Sequence, residues 1–380
     1  MPVANRFRHQ TYTDATPAAP FEMIVAGEQP AAGSVEFRAR MRAAGDQFRA
    51  CGIETIYLVH GTFVGGDALG LWTELARFVP TAAEALAEWS KRRIDAAFGE
   101  RGNYTAGYAE LLEESINRDG AAHIAVKLFR WTSENHHIGR ADAAVRLLDE
   151  ILRESRAMRI LLWGHSHAGN VFALLTNLIA GDPESVREFF DAARPFYWRL
   201  FGRGVDLPVW ESMRTLLERD PRPLAERKID VVTFGTPIRY GWETEGYSSL
   251  LHIVNHKPRD GRPVHVAAFP PTVATIQHAA DGDFVHQFGI AGTNVAPGIV
   301  AWRAFRADRA LNQLLQPDLR ARDIQKRLKL GMRVQSEGKT LLVDYGPAAG
   351  GPSQHHAGHA IYTDTSRMLF HAEQIAKHLA

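Results

Sequence analysis

One serine in this chain stands in the setting that a nucleophile requires. The apolar run Met158 to Trp163 (MRILLW) leads directly into Gly164-His165-Ser166-His167-Ala168-Gly169. Beyond it, Val171, Leu174, Leu175, Leu178 and Ile179 recur at helical spacing. A serine on a tight strand-to-helix turn has its hydroxyl pushed above the sheet, and the turn closes only if the residues two before and two after it are small. Gly164 and Ala168 meet that demand, although glycine is the usual second residue; here Gly169 comes one position later. The ordinary alternative, a serine capping a helix, explains the serine but not the strand and small residues around it. The chemistry open to such a serine is acyl transfer, an attack on a carbonyl that passes through a tetrahedral oxyanion.

That oxyanion needs donors. The amide of His167 opens the helix, where unpaired N–H groups and the helix dipole favour negative charge. A second donor is expected from the loop after the first strand, which reads His60-Gly61-Thr62-Phe63-Val64-Gly65-Gly66; there the N–H of Thr62 is the candidate. The serine also needs a base and an orienting carboxylate later in the chain. There are 17 histidines, so position must choose among them. The loop between the apolar segment Leu341 to Tyr345 and the helix of Met368, Leu369 and Ile375 holds His355, His356 and His359. His359 is preferred, because Gly358 permits close approach and Ile361-Tyr362 can anchor its backbone. His355 and His356 lie in a looser, glycine-rich stretch, and His371 lies inside the helix. Asp260, Asp281 and Asp283 are the candidate acids. Asp283 leads, since Phe284-Val285 can bury it and a buried carboxylate holds an imidazole in one tautomer. Asp260, in an Asp-Gly turn, is second.

These residues need a scaffold, and short apolar runs alternating with amphipathic stretches supply one. Ile53 to Val59, His123 to Phe129, Met158 to Trp163 and Ile229 to Phe234 read as buried strands, with Leu250 to Asn255 and Leu341 to Tyr345 as two weaker ones. Ala144, Leu147, Leu148, Ile151 and Leu152 mark a helix between the second and third. The pattern predicts an α/β fold with a mostly parallel, doubly wound sheet, whose sites lie at the carboxyl ends of the strands. Residues 1–50 read as a hairpin (Phe7 to Thr13 and Phe21 to Gly27) and a helix leading into a domain over 51–380. Insertions are expected at about 81–120 and 182–228. The second carries Phe189, Phe190, Phe196, Tyr197, Trp198, Phe201 and Trp210 in a helical pattern broken by Pro195 and Gly202-Gly204. It reads equally as a cap over the strand ends or as a helical insertion that buries its own aromatics.

Composition removes several classes. The 380 residues are 45% hydrophobic, enough to bury a core and exclude disorder. With 44 Lys+Arg against 43 Asp+Glu and no long basic run, nothing draws the chain to nucleic acid. The single cysteine, Cys51, excludes an intrachain disulfide and any multi-cysteine metal site, and fits a reducing compartment. The start MPVANRFRHQ lacks a secretory pattern, and no apolar run approaches the roughly 20 residues of a membrane span. A cytoplasmic protein is expected. His165 and His167, with His60, His136 and His137, invite a metal reading. Adjacent histidines on a turn diverge, however, and no H-E-x-x-H spacing exists, so structural roles are expected for them. Trp131-Thr132-Ser133-Glu134-Asn135 is expected to tie loops together without a catalytic step.

With His60-Gly61-Thr62, the Ser166 turn, the strand ending at Gly235-Thr236-Pro237, a late Asp and a late His, the chain resembles the α/β-hydrolase superfamily, in particular its lipase and esterase branch. The resemblance spans residues 50–375 in organisation, and its specific motifs cover a small part of that. It implies a serine hydrolase that cleaves a small-molecule or lipid-like ester, with a catalytic triad of Ser166, Asp283 and His359. Thr62 and His167 would form the oxyanion hole, and no cofactor follows. An acyltransferase or thioesterase on the same scaffold, or a catalytically silent module that binds a ligand, are the alternatives. Oligomeric state is left open.

Overall fold

The computed structural model describes Phe7 and residues 19–61, 102–154, 156–198, 205, 207–237, 239–267, 272, 275, 277–290, 297, 301–316, 331–348 and 355–379. Within them the chain runs through β1 (Phe21–Val25), α1 (Val35–Ala50), β2 (Thr55–Val59), α2 (Ala106–Ile116), β3 (Ala125–Phe129), α3 (His137–Glu154), β4 (Arg159–His165) and α4 (Ala168–Ala180). It continues through α5 (Pro183–Tyr197), α6 (Pro208–Arg219), β5 (Lys228–Phe234), β6 (Ser249–Asn255), α7 (Phe284–Ile290), α8 (Trp302–Leu315), β7 (Lys339–Asp344) and α9 (Met368–Leu379).

The seven strands form one sheet in the order β1-β7-β6-β5-β4-β2-β3, and every pairing is parallel. Parallel strands need helical crossovers on both faces, so their residues are buried on both sides and read as unbroken apolar runs rather than as alternation. β2 is buried throughout, and β4, β5 and β6 are buried after their first residue. The pleat divides them between two cores. Tyr57, Val59, Ile160, Leu162 and Val231 meet α3, α4, α5, α6 and α8 on one face. Ile56, Leu58, Leu161, Trp163, Val232 and Phe234 meet α1, α2 and α9 on the other. At the amino ends the fork of Arg159 grips buried Asp230 (Nε to Oδ2 2.6 Å, Nη2 to Oδ1 3.2 Å), which also accepts from Ser249 Oγ at 2.7 Å. This pins β4, β5 and β6 in register.

The order reverses between β2 and β4. From β2 the chain moves outward to β3, returns to the other side of β2 as β4, and then steps outward through β5, β6 and β7. Crevices at such a reversal, beyond the carboxyl ends of the strands, are where open α/β sheets hold their sites. Val59, last in β2, lies opposite Gly164 of β4. The His60-Gly61 loop and the Ser166 turn therefore emerge side by side.

Of the expected amino-terminal hairpin, one arm is described. Phe21–Val25 is an edge strand of the main sheet against β7, and the other arm of the expected hairpin lies outside the described residues beyond Phe7, which stacks on Phe189 at 5.4 Å. Of the insertion at 81–120, residues from 102 onward are described and contain α2. In the aromatic segment, α5 runs through Pro195 to Tyr197 rather than breaking there. Trp210 stacks between Phe189 (6.0 Å) and Tyr197 (5.2 Å) and donates to Asp142 Oδ1 at 2.7 Å. Phe189, Phe190, Tyr197 and Trp210 are at most 1% exposed, so these rings have no free face for a ligand; Phe201 lies outside the described residues. Among the described residues no helix is long and apolar enough to cross a membrane.

Several histidines are buried in this scaffold. Burial pulls His256, His286 and His371 down to about 3. The unfolded chain takes up protons near pH 6.5, whereas the fold excludes them until far lower pH. Stability is thus fully present above about pH 6.5 and is lost as pH falls, by about 1.4 kcal/mol per pH unit for each such group. Thermal unfolding should show Tm dropping steeply between pH 6.5 and 5, with a shallower slope in His371→Gln. A Tm that stays flat over that range would contradict neutral burial.

Candidate active site

The turn after β4 stores backbone strain. Ser166 has φ of +56°, in the left-handed region that a side chain other than glycine rarely adopts. The surroundings compel it. The Ser166 N–H still donates to Phe234 O of the neighbouring strand at 2.8 Å, while its carbonyl turns to accept from Thr236 Oγ1 at 2.6 Å and Gly169 N–H at 3.2 Å. A Cβ on Gly164 would lie 2.3 Å from the Phe172 ring and 3.1 Å from the Ala168 methyl. At Gly169 it would lie 2.3 Å from Thr236 Oγ1. The departure from the usual motif thus has a physical account: position 168 admits a methyl because 164 has none, and the strict demand for glycine falls one residue later.

α1, α2 and α5 are capped by Ser34, Thr105 and Asp182 side chains, whereas α4, with His167 at its N-cap, has no side-chain cap, like α6 and α8. The Gly169 and Asn170 amides turn back to the Ser166 and His167 carbonyls, and the His167 and Ala168 amides stand at the head of the helix, where negative charge is favoured. Across from it, Gly61 passes so close that a Cβ there would sit 2.5 Å from Ser166 Cβ and 3.1 Å from Oγ. His60 is held from the β3 side: its ring stacks on Trp131, its Nδ1 meets Ser133 Oγ at 2.9 Å, and its carbonyl accepts from Trp131 Nε1 at 2.9 Å. Thr62 lies outside the described residues.

On the far side of the serine, His359 and Asp283 come together. His359 Nδ1 donates to Asp283 Oδ2 at 2.7 Å, with the carboxylate wholly buried. Oδ1 accepts from His286 N–H at 2.8 Å. Burial alone would raise the Asp283 pKa; the charge and hydrogen bond of His359, with His286 and Arg333, outweigh it and hold the carboxyl well below its ordinary range. Asp260 is instead an exposed turn residue, and Asp281 pairs with Arg259 (Nε to Oδ1 2.7 Å). His355 Nε2 donates to Gln277 O at 2.8 Å, and His371 Nε2 meets Tyr345 Oη at 2.7 Å.

Two supports were not singled out from the sequence, and a third, His165, was expected only to be structural. Asn255, last in β6, donates its N–H to Tyr362 Oη (2.7 Å) and its Nδ2 to Gly358 O (2.9 Å), and accepts from Asp283 N–H (2.9 Å). One residue therefore fixes both Asp283 and the His359 loop; its only signal was a polar residue closing an apolar strand. Arg333, wholly buried, donates to the Asp283 carbonyl, and nothing in its sequence neighbourhood marks it. His165 packs its ring 4.5 Å from that of His359 and donates from Nε2 to the His359 carbonyl at 3.2 Å. Burial pushes His165 and His167 far down, so both rings are neutral. Among the described residues, His359 Nε2 is buried with no hydrogen-bond partner, Ser166 Oγ included. Such links often close only around a bound substrate.

Among the described residues no group of three His, Cys, Asp or Glu is placed to hold a metal ion. His136 Nδ1 accepts from Gly139 N–H, and His137 bonds Tyr240 and Asn312. Compared with known family models, curated proteins and solved structures, the chain matches none.

The close approach at Gly61 is testable. Gly61→Ala should leave circular dichroism unchanged and slow the reaction of Ser166 with a fluorophosphonate by about 100-fold or more, the scale on which a displaced oxyanion donor acts. Labelling at the unaltered rate would contradict this geometry.

Proposed function

We propose that the protein is a serine hydrolase of the α/β-hydrolase type, cleaving carboxylic esters through an acyl-enzyme on Ser166. The observation that carries this reading is the pairing of buried Asp283 with His359 beside a strained serine at the point where the strand order reverses. Its chemistry runs as follows. Ser166 Oγ attacks the ester carbonyl as His359 Nε2 takes its proton, and the oxyanion is held by the His167 amide, with Thr62 as the second candidate donor. His359 then returns the proton to the departing alcohol. Water attacks the acyl-enzyme with His359 again as base, releasing the acid and restoring the serine. Asp283, kept anionic by its donors, holds Nδ1 protonated so that Nε2 presents its lone pair, and stabilises the imidazolium. No step requires a cofactor. The substrate expected is a small-molecule or lipid-like ester.

The wild-type protein should be labelled by a fluorophosphonate and should turn over p-nitrophenyl esters, and Ser166→Ala should abolish both. A protein that fails to react, or reacts equally well as Ser166→Ala, is not a serine hydrolase. Labelling without ester turnover would point to an acceptor other than water.

The two candidate acids separate by mutation. Asp283→Asn should lower turnover by on the order of 10³- to 10⁴-fold by losing the required tautomer, while Asp260→Asn stays within about twofold, as surface substitutions do. The reverse pattern would overturn the assignment.

A further inference from the structure

We infer that Tyr362 is a positioning residue that acts on His359 through Asp283, sharing the carboxylate oxygen that binds the imidazole and thereby setting the pH at which the base works. This rests on the serine-hydrolase reading and adds to it a group that the three-residue relay does not contain.

The geometry is specific. Tyr362 Oη lies 3.0 Å from Asp283 Oδ2, the oxygen that receives His359 Nδ1–H at 2.7 Å. A phenol has one hydrogen to give. Here the Oη lone pairs are engaged by the Asn255 N–H at 2.7 Å, so the hydroxyl hydrogen is directed to the carboxylate. The ring is wholly buried, near Phe234 and Tyr345 and 5.9 Å edge-on from the His359 ring. Space for this arrangement comes from Gly235. Its φ is +57°, and a Cβ there would lie 2.4 Å from the Tyr362 ring and 2.6 Å from Asp283 Oδ2. Residue 235 follows β5, so the end of that strand is shaped to let tyrosine and carboxylate meet.

Two donors on one oxygen compete. Each hydrogen bond to a carboxylate disperses its charge and makes it a weaker acceptor for the other. Tyr362 thus locks the rotamer of Asp283 and moderates its pull on the imidazole proton. The other titratable groups facing this pair keep one charge state around neutrality. His286 is held neutral down to about 3 and His165 far below its ordinary range by burial. Arg333, facing both Asp283 and Tyr362, remains a cation, and burial raises Tyr345 and Tyr362 well above the ordinary phenol range.

The test is the pH dependence of kcat/KM for a p-nitrophenyl ester in wild type, Tyr362→Phe and a control, Tyr345→Phe, whose hydroxyl serves His371 instead. Tyr362→Phe should move the acidic midpoint up by about half to one pH unit, with kcat falling more than KM changes; Tyr345→Phe should not move it. Site-specific 3-fluorotyrosine at 362, a stronger donor in nearly the same volume, should move the midpoint down and covers the case in which the phenylalanine variant folds poorly. A purely structural role predicts a lower Tm with the midpoint unmoved, and that result, or equal shifts in both phenylalanine variants, would overturn the inference. A second readout needs no turnover: the low-field proton resonance of His359 Nδ1–H, assigned by its loss in His359→Gln, should move downfield in Tyr362→Phe. If wild type neither labels nor turns over ester, the hydrolase reading fails on its own. The resonance then still decides whether Tyr362 and His359 compete for Asp283, and an unmoved resonance would refute that.

Discussion

A fully buried carboxylate is the constraint around which this end of the molecule is organised. An ionised Asp283 removed from water is tolerable only with its oxygens hydrogen-bonded and its charge matched. His359 Nδ1, Tyr362 Oη and the His286 amide supply three donors, and the Arg333 guanidinium lies behind them. Those partners come from the loop after β7, from α7 and from the segment preceding β7. Satisfying the charge therefore fixes three separate parts of the chain against one another. Asn255 completes the arrangement from the end of β6, since its two amides and its carbonyl reach the phenol, the base loop and the acid together.

The second constraint is steric. The central strands of the seven-stranded parallel sheet, buried on both faces, hold the carboxyl ends of β2, β4 and β5 in fixed register. That register leaves no room for a Cβ at Gly61, against Ser166, or at Gly169, against Thr236. The strain at Ser166 is retained because the turn is bonded from both sides, to Phe234 and to Thr236. For the acyl transfer proposed here, a strained residue held in this way needs no rearrangement before attack.

Much of this was legible because it is local. The strands announce themselves as apolar runs, the helices by their spacing, and the turn by Gly164, Ser166 and the small residues after it. Position within the predicted order then singled out His359 from 17 histidines. The supports were not legible. Tyr362 could be read as a backbone anchor near His359, but its hydroxyl's partner is 79 residues away in the chain. Arg333 stands in a stretch with no periodicity or motif, and its partner is 50 residues distant. The aromatic segment shows the limit from the other side. Helical spacing of Phe189, Phe190, Tyr197 and Trp210 cannot separate a lid from a core, because both need an apolar stripe. Packing against α3 and α8 placed these rings in the interior.

By itself, then, the sequence determined the layered α/β architecture, the turn that strains Ser166 and the neighbourhood in which a base and an acid should be sought. Each of these follows from short-range physics, namely burial pattern, turn sterics and helix periodicity. Only the tertiary structure decided which carboxylate meets His359, which polar groups stabilise that carboxylate and which glycine must lie bare beneath the serine. Those are outcomes of long-range packing, in which a hydrogen bond of 2.7 Å is made or lost through displacements far smaller than the spacing of residues along a chain.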